Sequence, residues 1–355
     1  MSSLARYIVR TVLAYTTLVL LVLIALGALF LFIGQQDDIG TGGYTVRQAA
    51  LFVALNLPSY IADLLPVAAL IGTLLGLGHL ANGSELVVMR ASGVSTLQFC
   101  RWLAIAGVVL AALMVLTAEF VAPPLDNYAR QLKVFSKYNE FSFAGERGTW
   151  VRDGDTIISV EQQSERTLYG GIHIFRFDPK RQLYSVGRAD SARVEEGNRW
   201  ELQNYTETQF GNNHTTTRRE ARVAVQSTLS PDFLGLAVVD PASMRFRDLA
   251  IYIRHLRGND LDSTEFEIAL WSRGARVVAL VLVVILALPF ALGPMRSSGQ
   301  GARTVIGILI GAAYILVSRT LESSGELFDL SPWIVGVSPV AALAVFTALM
   351  LTRVR

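Results

Sequence analysis

The stretch Ser84-Glu85-Leu86-Val87-Val88-Met89-Arg90-Ala91-Ser92-Gly93 separates two long apolar segments. Ser84 suits a helix N-cap, Glu85 suits the positive end of the helix that follows, and Gly93 suits its stop. The pattern predicts about two helical turns, far short of the roughly 20 residues a membrane span needs. A piece of that length between two spans lies at the membrane surface. Leu86, Val87 and Met89 are expected to fill a groove while Glu85 and Arg90 meet charges. On spacing alone the same residues also read as an ordinary interfacial turn that only joins two spans, because short amphipathic pieces are common at interfaces.

The rest of the chain is too apolar for a soluble protein. Of its 355 residues 52% are hydrophobic, which points to a polytopic membrane protein with a soluble part. Residues 119–267 hold 19 Lys+Arg and 22 Asp+Glu, and the other 206 residues only 12 and 7. One region is therefore polar and the remainder suits lipid. A single cysteine, Cys100, excludes an intrachain disulfide.

Six apolar runs have the length of a span. Residues 11–33 are uncharged for 23 positions behind Arg6 and Arg10. The run continues through Phe30, Phe32 and Ile33, too long for a signal-peptide core, so it reads as an uncleaved first span despite the cleavage-like Ala25-Leu26-Gly27. The second covers 58–80, with Pro58 at its start, Pro66 inside it and Asp63 near its outer end. The third covers 101–121 and ends at Glu119 and Pro123-Pro124. The fourth covers 271–292, led by Arg273 and Arg276 and broken by Pro289, and the fifth and sixth cover 303–322 and 332–352. Gly72 and Gly76, and Gly307 and Gly311, are each four apart and share a helix face, a spacing that lets membrane helices approach closely. Glycine is also simply frequent in such helices.

Basic residues near the span ends set the orientation. With the N-terminus inside, the cytoplasmic segments carry Arg6, Arg10, Arg90, Arg101, Arg296, Arg303, Arg353 and Arg355 against one acid, Glu85. The short outer loops carry Asp37, Asp38, Glu322, Glu326 and Asp329, with Arg47 the one clear base. Both termini and the 84–93 helix are thus expected inside, and the polar region outside.

Within the polar region the period changes. A helical pattern continues from Pro123 to about Asn139, which would extend the third span outward. Then Trp200 and Leu202 alternate with Glu201 and Gln203, and Ala221, Val223 and Val225 with Arg222, Ala224 and Gln226. Trp150-Val151, Ile157-Ile158 and Ile172 to Phe177 are short β-rich runs. Asp153-Gly154, Asp178-Pro179, Glu196-Gly197-Asn198 and Gly211-Asn212-Asn213 separate them as turns. Six to eight antiparallel strands follow, in a sandwich, jelly roll or open barrel. A helix is expected from Ser243 to His255, with Leu249, Ile253 and Leu256 on one face, and Ser263 as the cap of the fourth span. The whole is an α+β membrane protein: spans one to three in 1–122, a β domain with linking helices in 123–265, and spans four to six in 266–355.

Several chemistries are excluded. No Gly-Lys pair occurs, so there is no P-loop, and ATP, if used, binds elsewhere. His79, His173, His214 and His255 are scattered without metal-ligand spacing, so no metal site is expected. Lys133, Lys137 and Lys180 all lie in the polar region, which excludes a Ser/Lys dyad within the membrane. Asp63 is the one aspartate in a span, against a paired-aspartate protease. Asn213-His214-Thr215 matches a glycosylation sequon, a weak signal. Midplane ionisable groups, which a proton- or sodium-coupled carrier needs, are sparse.

Gly76-Leu77-Gly78 followed by the 84–93 stretch, with Arg6-Tyr7-Ile8 ahead of the first span and the order of three spans, β domain, three spans, resembles the LptF/LptG permease family. These are the membrane subunits of the lipopolysaccharide export transporter, and the wording of the stretch is nearer to LptG than to LptF. The resemblance implies that 84–93 is a coupling helix seated in a groove of a cytoplasmic ATPase. Glu85 would then make the leading contact, Ser84 and Arg90 would flank it, and Leu86, Val87 and Met89 would pack in the groove. It implies no cofactor in this chain, with ATP and Mg held by an LptB-like ATPase homodimer. It implies a paralogous LptF-like permease, and LptC-like and LptA-like periplasmic jellyroll proteins that receive lipopolysaccharide from a periplasmic β-jellyroll. The setting would be a bacterial inner membrane. Members often place a base late in the first span, where this chain reads Leu29-Phe30-Leu31-Phe32.

Arginine forks suit phosphate, and the lipid A headgroup carries phosphates. Arg47, Arg273, Arg276 and Arg319 are therefore candidates to line the outer mouth of a substrate cavity. Snorkelling to lipid headgroups, or pairing with Asp63, Glu119 or Glu322, is the other account of them. An ATP-independent lipid or solute carrier and a membrane-anchored envelope scaffold are the other classes open to such a chain.

Overall fold

The computed structural model describes residues 3–138, 149–165, 168–178, 182–195, 199–211, 214–226, 241, 244–292, 300–328 and 330–353. Several sequence features lie outside them: the Glu196-Gly197-Asn198 turn, Pro179 and Lys180, Asn213 of the sequon, Arg296, Asp329 and Arg355. The chain forms two compact units. One comprises Met1–Gln36, Val53–Asp126 and Thr264–Arg355, and the other Asp37–Phe52 and Asn127–Ser263.

The first unit is helical, and among the described residues six helices are long and apolar enough to cross a membrane. They are α1 (Ser3–Ile33), α2 (Val46–Asn82), α4 (Thr96–Leu116), α7 (Thr264–Leu292), α8 (Gln300–Leu327) and α9 (Pro332–Thr352); the short α3 (Glu85–Ala91) joins α2 to α4. This is a multi-pass membrane protein. On α1 a narrow stripe of Ala5, Ile8, Val12, Thr16 and Val19 is buried, while Leu21, Phe30 and other large apolar side chains face outward. A helix apolar all round is what lipid selects. Leu65, Leu77 and Leu80 of α2, Phe99 and Leu103 of α4 and Leu280 and Val284 of α7 form the centre of the core.

The glycine pairs do what their spacing suggests. A Cβ built on Gly72 would stand 2.4 Å from the Thr16 Cα, so α2 meets the backbone of α1 there. Cβ atoms on Gly307 and Gly311 would meet Leu74 at 2.6 Å and Leu70 at 2.0 Å. Small residues thus let α2 pack tightly on α1 and on α8.

The spans differ from the sequence reading in several places. α2 begins at Val46, so Pro58 lies inside the helix and not at its start, and α7 runs through Pro289 without a break. In membrane helices neighbouring groups re-satisfy the carbonyl that a proline frees. The third span continues past Glu119 and Pro123-Pro124, as the helical pattern from Pro123 to about Asn139 suggests. A π-helical turn, Thr117–Val121, carries it into α5 (Ala122–Tyr138), with the Ala122 N–H reaching the Thr117 carbonyl five residues back.

Among the described residues of the second unit, six strands form one antiparallel sheet in sequential order: β1 (Thr149–Asp153), β2 (Thr156–Glu165), β3 (Leu168–Phe177), β4 (Leu183–Glu195), β5 (Arg199–Phe210) and β6 (Thr215–Gln226). The expected antiparallel β domain between the third and fourth spans is thus present. Gly154, at φ +60°, makes the β1–β2 turn. Ile158 and Ile174, and Val160 and Ile172, are directly opposed and buried. Ala192–Leu202–Val223 and Val194–Trp200–Val225 continue the pairing across β4, β5 and β6. The buried parity changes along the strands. In β5 Trp200 and Leu202 are buried, then Tyr205 and Glu207; in β4 Ser185 and Ala189, then Ala192. The change falls where Gly171 of β3 and Asn204 of β5 take positive φ, with the Asn204 amide donating to Asp190 of β4 at 3.0 Å. Irregularities of this kind kink and twist a sheet.

Asp37–Phe52, assigned to the spans from sequence, packs with this unit. Lys133 of α5 pairs with Asp38 at 2.6 Å and lies 5.1 Å from the Phe52 ring centre, and the Gly43 N–H donates to the Ser136 carbonyl at 2.6 Å. α6 (Phe246–Gly258) starts slightly later than Ser243 and buries Leu249, Ile253 and Leu256 as expected, with Tyr252 beside them.

Candidate functional site

α3 is clipped at its C-terminal end by Gly93, as the sequence suggests, but Ser84 does not cap its start. Ser84 stands at the N-cap position in a left-handed conformation (φ 56°, ψ 10°), and its side chain makes no capping bond. Its backbone instead closes the turn from α2, with the Ser84 N–H on the Ala81 carbonyl at 3.0 Å. At the other end Gly93 takes φ +92°. The Gly93 N–H donates to the Arg90 carbonyl at 3.0 Å, and the Val94 N–H to the Met89 carbonyl at 3.1 Å. These two bonds are a Schellman motif, which needs a left-handed residue best supplied by glycine. The next residue, Ser95, opens α4 with a capping box: its hydroxyl accepts from the Gln98 N–H, and the Gln98 side chain accepts from the Ser95 N–H at 3.0 Å. α3 is therefore held to α4 through a short, fully hydrogen-bonded turn.

The faces of α3 divide sharply. Leu86 is 1% exposed and Met89 is also buried, both in the core shared with Ile8, Phe99 and Leu103. Val87 and Val88 are 54% and 65% exposed, and Leu97 on the first turn of α4 is exposed too. Glu85 is half-buried and Arg90 exposed. The apolar surface offered outward is therefore Val87 and Val88, flanked by Arg90. Leu86 and Met89 face the core of this chain and not outward. Val88 escaped the sequence reading, although the helical period of about 100° per residue sets it opposite Leu86.

A second cluster lies in the N-terminal part of α7. Arg273 and Arg276 are three apart and so share a face, yet each already faces a carboxylate from another helix. The Arg273 guanidinium donates to Glu119, on the π-helical turn, at 3.2 Å. Arg276 meets Asp63 of α2 at 3.6 Å. The two pairs differ in kind. Arg273 and Glu119 are 16% and 22% exposed, Arg276 and Asp63 43% and 53%. A shorter, more enclosed ion pair is held more firmly than a longer, more open one. Arg273 is thus fixed in place and Arg276 is loosely held.

One turn further along the same helices, α2, α7 and α8 line an apolar crevice of about 330 Å³. Pro66 and Leu70, Ala279 and Val283, and Gly311 and Tyr314 contribute to its walls, and Arg319 is its one charged lining residue. Arg47 is not part of this site; it is exposed at the start of α2, in the second unit.

Residues 6–353 match the family described as lipopolysaccharide export system permease LptF/LptG. Among curated proteins the chain is 29% identical over 350 residues to the lipopolysaccharide export system permease protein LptG of Escherichia coli, covering 98% of this chain and 97% of that protein. It is 27% identical over 355 residues to the protein of the same name from Haemophilus influenzae, covering 100% and 99%. The six apolar helices, the β insertion after the third and the match over nearly the whole length agree: this chain belongs to the LptF/LptG family of lipopolysaccharide export system permeases.

Proposed function

We propose that the chain is the membrane half of an ATP-driven machine that lifts lipopolysaccharide out of the bacterial inner membrane and hands it to a periplasmic chain of jellyrolls. The observation that carries this reading is the outward face of α3. A seven-residue helix bound rigidly to two long helices, presenting Val87 and Val88 with Arg90 exposed beside them, has the form of a transmission element and not of a slack loop. Its partner is a cytoplasmic, LptB-like ATPase homodimer that holds the ATP and Mg. Glu85 and Arg90 meet that partner's charges, and Ser84 shapes the turn that sets the helix angle. Leu86 and Met89 carry the motion into the core. A paralogous LptF-like permease completes the membrane pair, and LptC-like and LptA-like proteins continue the periplasmic route.

The excess of arginine at the α3 side of the spans favours cytoplasmic termini and a periplasmic β domain. The crevice beside α8 suits acyl chains, and Arg319 at its wall suits a phosphate.

The test is copurification of ATPase and related permease with the wild-type chain and with Glu85→Ala and Glu85→Lys, followed by ATP-dependent lipopolysaccharide release. Loss of the complex or of its coupling in the variants is expected. A wild-type chain that holds no ATPase even with the related permease present rules the reading out.

A further inference from the structure

We propose that Arg276 is an anion-exchange point: Asp63 occupies it when no substrate is bound, and a phosphate of the lipid headgroup displaces Asp63 when the crevice between α2, α7 and α8 is filled. The inference rests on the permease reading and adds to it which arginine takes the headgroup and what keeps that arginine closed in between.

Four features of the cluster carry it. Asp63 lies one turn from Pro66 on α2, and Arg276 one turn from Ala279 on α7, and both Pro66 and Ala279 line the crevice. The Asp63–Arg276 pair therefore sits at the end of the apolar space, joining the two helices across it. The pair is long and about half exposed, so a second anion can reach it. Arg319, on the third wall, puts another guanidinium on the same space. Finally, Arg273 is occupied by Glu119, which the π-helical turn places against it, so the neighbouring positive charge stays fixed while Arg276 changes partner. An acyl chain lying in the crevice would bring its headgroup to Arg276 and Arg319 together. A phosphomonoester accepts from an arginine fork more strongly than a single carboxylate oxygen at 3.6 Å does. Without a resident acid, an arginine at a lipid-facing helix surface would capture any anionic lipid; Asp63 raises the threshold so that a filled crevice is also required.

The experiment uses the complex of this chain with its related permease and ATPase in lipid nanodiscs. Retained lipid A is measured by mass spectrometry after equal exposure to phosphorylated and enzymatically dephosphorylated forms. Wild type is expected to favour the phosphorylated form. Asp63→Asn raises that preference about 3- to 10-fold, Arg276→Gln abolishes it, and the double variant behaves like Arg276→Gln, the coupling expected of residues that act on one another. Excess inorganic phosphate leaves the lipid in place, because the crevice holds the chain. Copurification with the ATPase verifies the fold of each variant. The proposal is overturned if Asp63→Asn lowers retention as Arg276→Gln does, which would make the pair a strut, or if inorganic phosphate strips the lipid. Equal retention of both lipid forms by wild type sinks the exchange but leaves the permease reading standing. Retention of neither sinks both.

Discussion

Leu86 and Val87 are consecutive residues of α3 with different surroundings, the first sealed in the core of the helical unit and the second open. Their substitutions should therefore fail differently. Val87→Asp or Val88→Asp should abolish ATPase copurification while the thermal melting of the purified chain stays near wild type. Leu86→Ala should instead lower stability by about 2–5 kcal/mol, the cost of a cavity in a packed core. If Val87→Asp melts early and Leu86→Ala does not, the faces are assigned the wrong way round.

Two serines eleven residues apart make a second contrast. Ser84 occupies an N-cap position without capping, and Ser95 caps fully. Ser84→Ala should change stability by less than about 0.5 kcal/mol, and Ser84→Gly should stabilise, since glycine takes a left-handed backbone without strain. Ser95→Ala should cost about 1 kcal/mol, the usual loss for a helix cap. Chemical unfolding of the four proteins in one detergent checks the ranking.

The sheet supplies a pH prediction. Burial pushes the Tyr205 phenol above its ordinary value of 10.0; nearby Arg176 pulls it down, and the Glu207 charge pushes it up again. The unfolded chain then loses that proton first. Above pH 10 it binds fewer protons than the folded chain, so stability is intact below that pH and falls as pH rises further. Tyr205→Phe should flatten this part of the alkaline decline, read as sheet melting by circular dichroism. An unchanged slope would place the alkaline titration elsewhere, with Tyr44, raised in the same direction by burial and by Asp38, the next group to replace.

How far these features could be read from the residues depends on their range. The six spans and the strand alternation of Trp200 and Leu202 follow from composition and period, and both stand in the structure. Local stops such as Gly93 were equally plain. The parity change at Asn204 was not, because it needs a positive φ that nothing in Gln203-Asn204-Tyr205 demands. Nor was the π-helical turn: the helical pattern from Pro123 onward is legible, but nothing in Thr117 to Ala122 signals the rerouted bond from Ala122 to Thr117. The partners of Arg273 and Arg276 were legible only as alternatives. Glu119 and Asp63 lie far from them in sequence, and the choice between carboxylate and phosphate belongs to tertiary packing.

Gly72 and Gly311 show how tightly α2, which leads into α3, is gripped by its neighbours. A methyl on Gly72 would meet the Thr16 backbone, which cannot yield unless α1 moves, while one on Gly311 would meet the end of the Leu70 side chain, which can turn. Gly72→Ala should therefore cost about 1–3 kcal/mol or more and weaken ATP-dependent release even where the ATPase still binds. Gly311→Ala should cost less, and Leu70→Ala should offset part of it, with a coupling of about 0.5–3 kcal/mol in a double-mutant cycle. Additive effects of Gly311→Ala and Leu70→Ala would mean that the two residues do not touch. A Gly72→Ala protein with wild-type stability and release would mean that α1 is free to shift against α2.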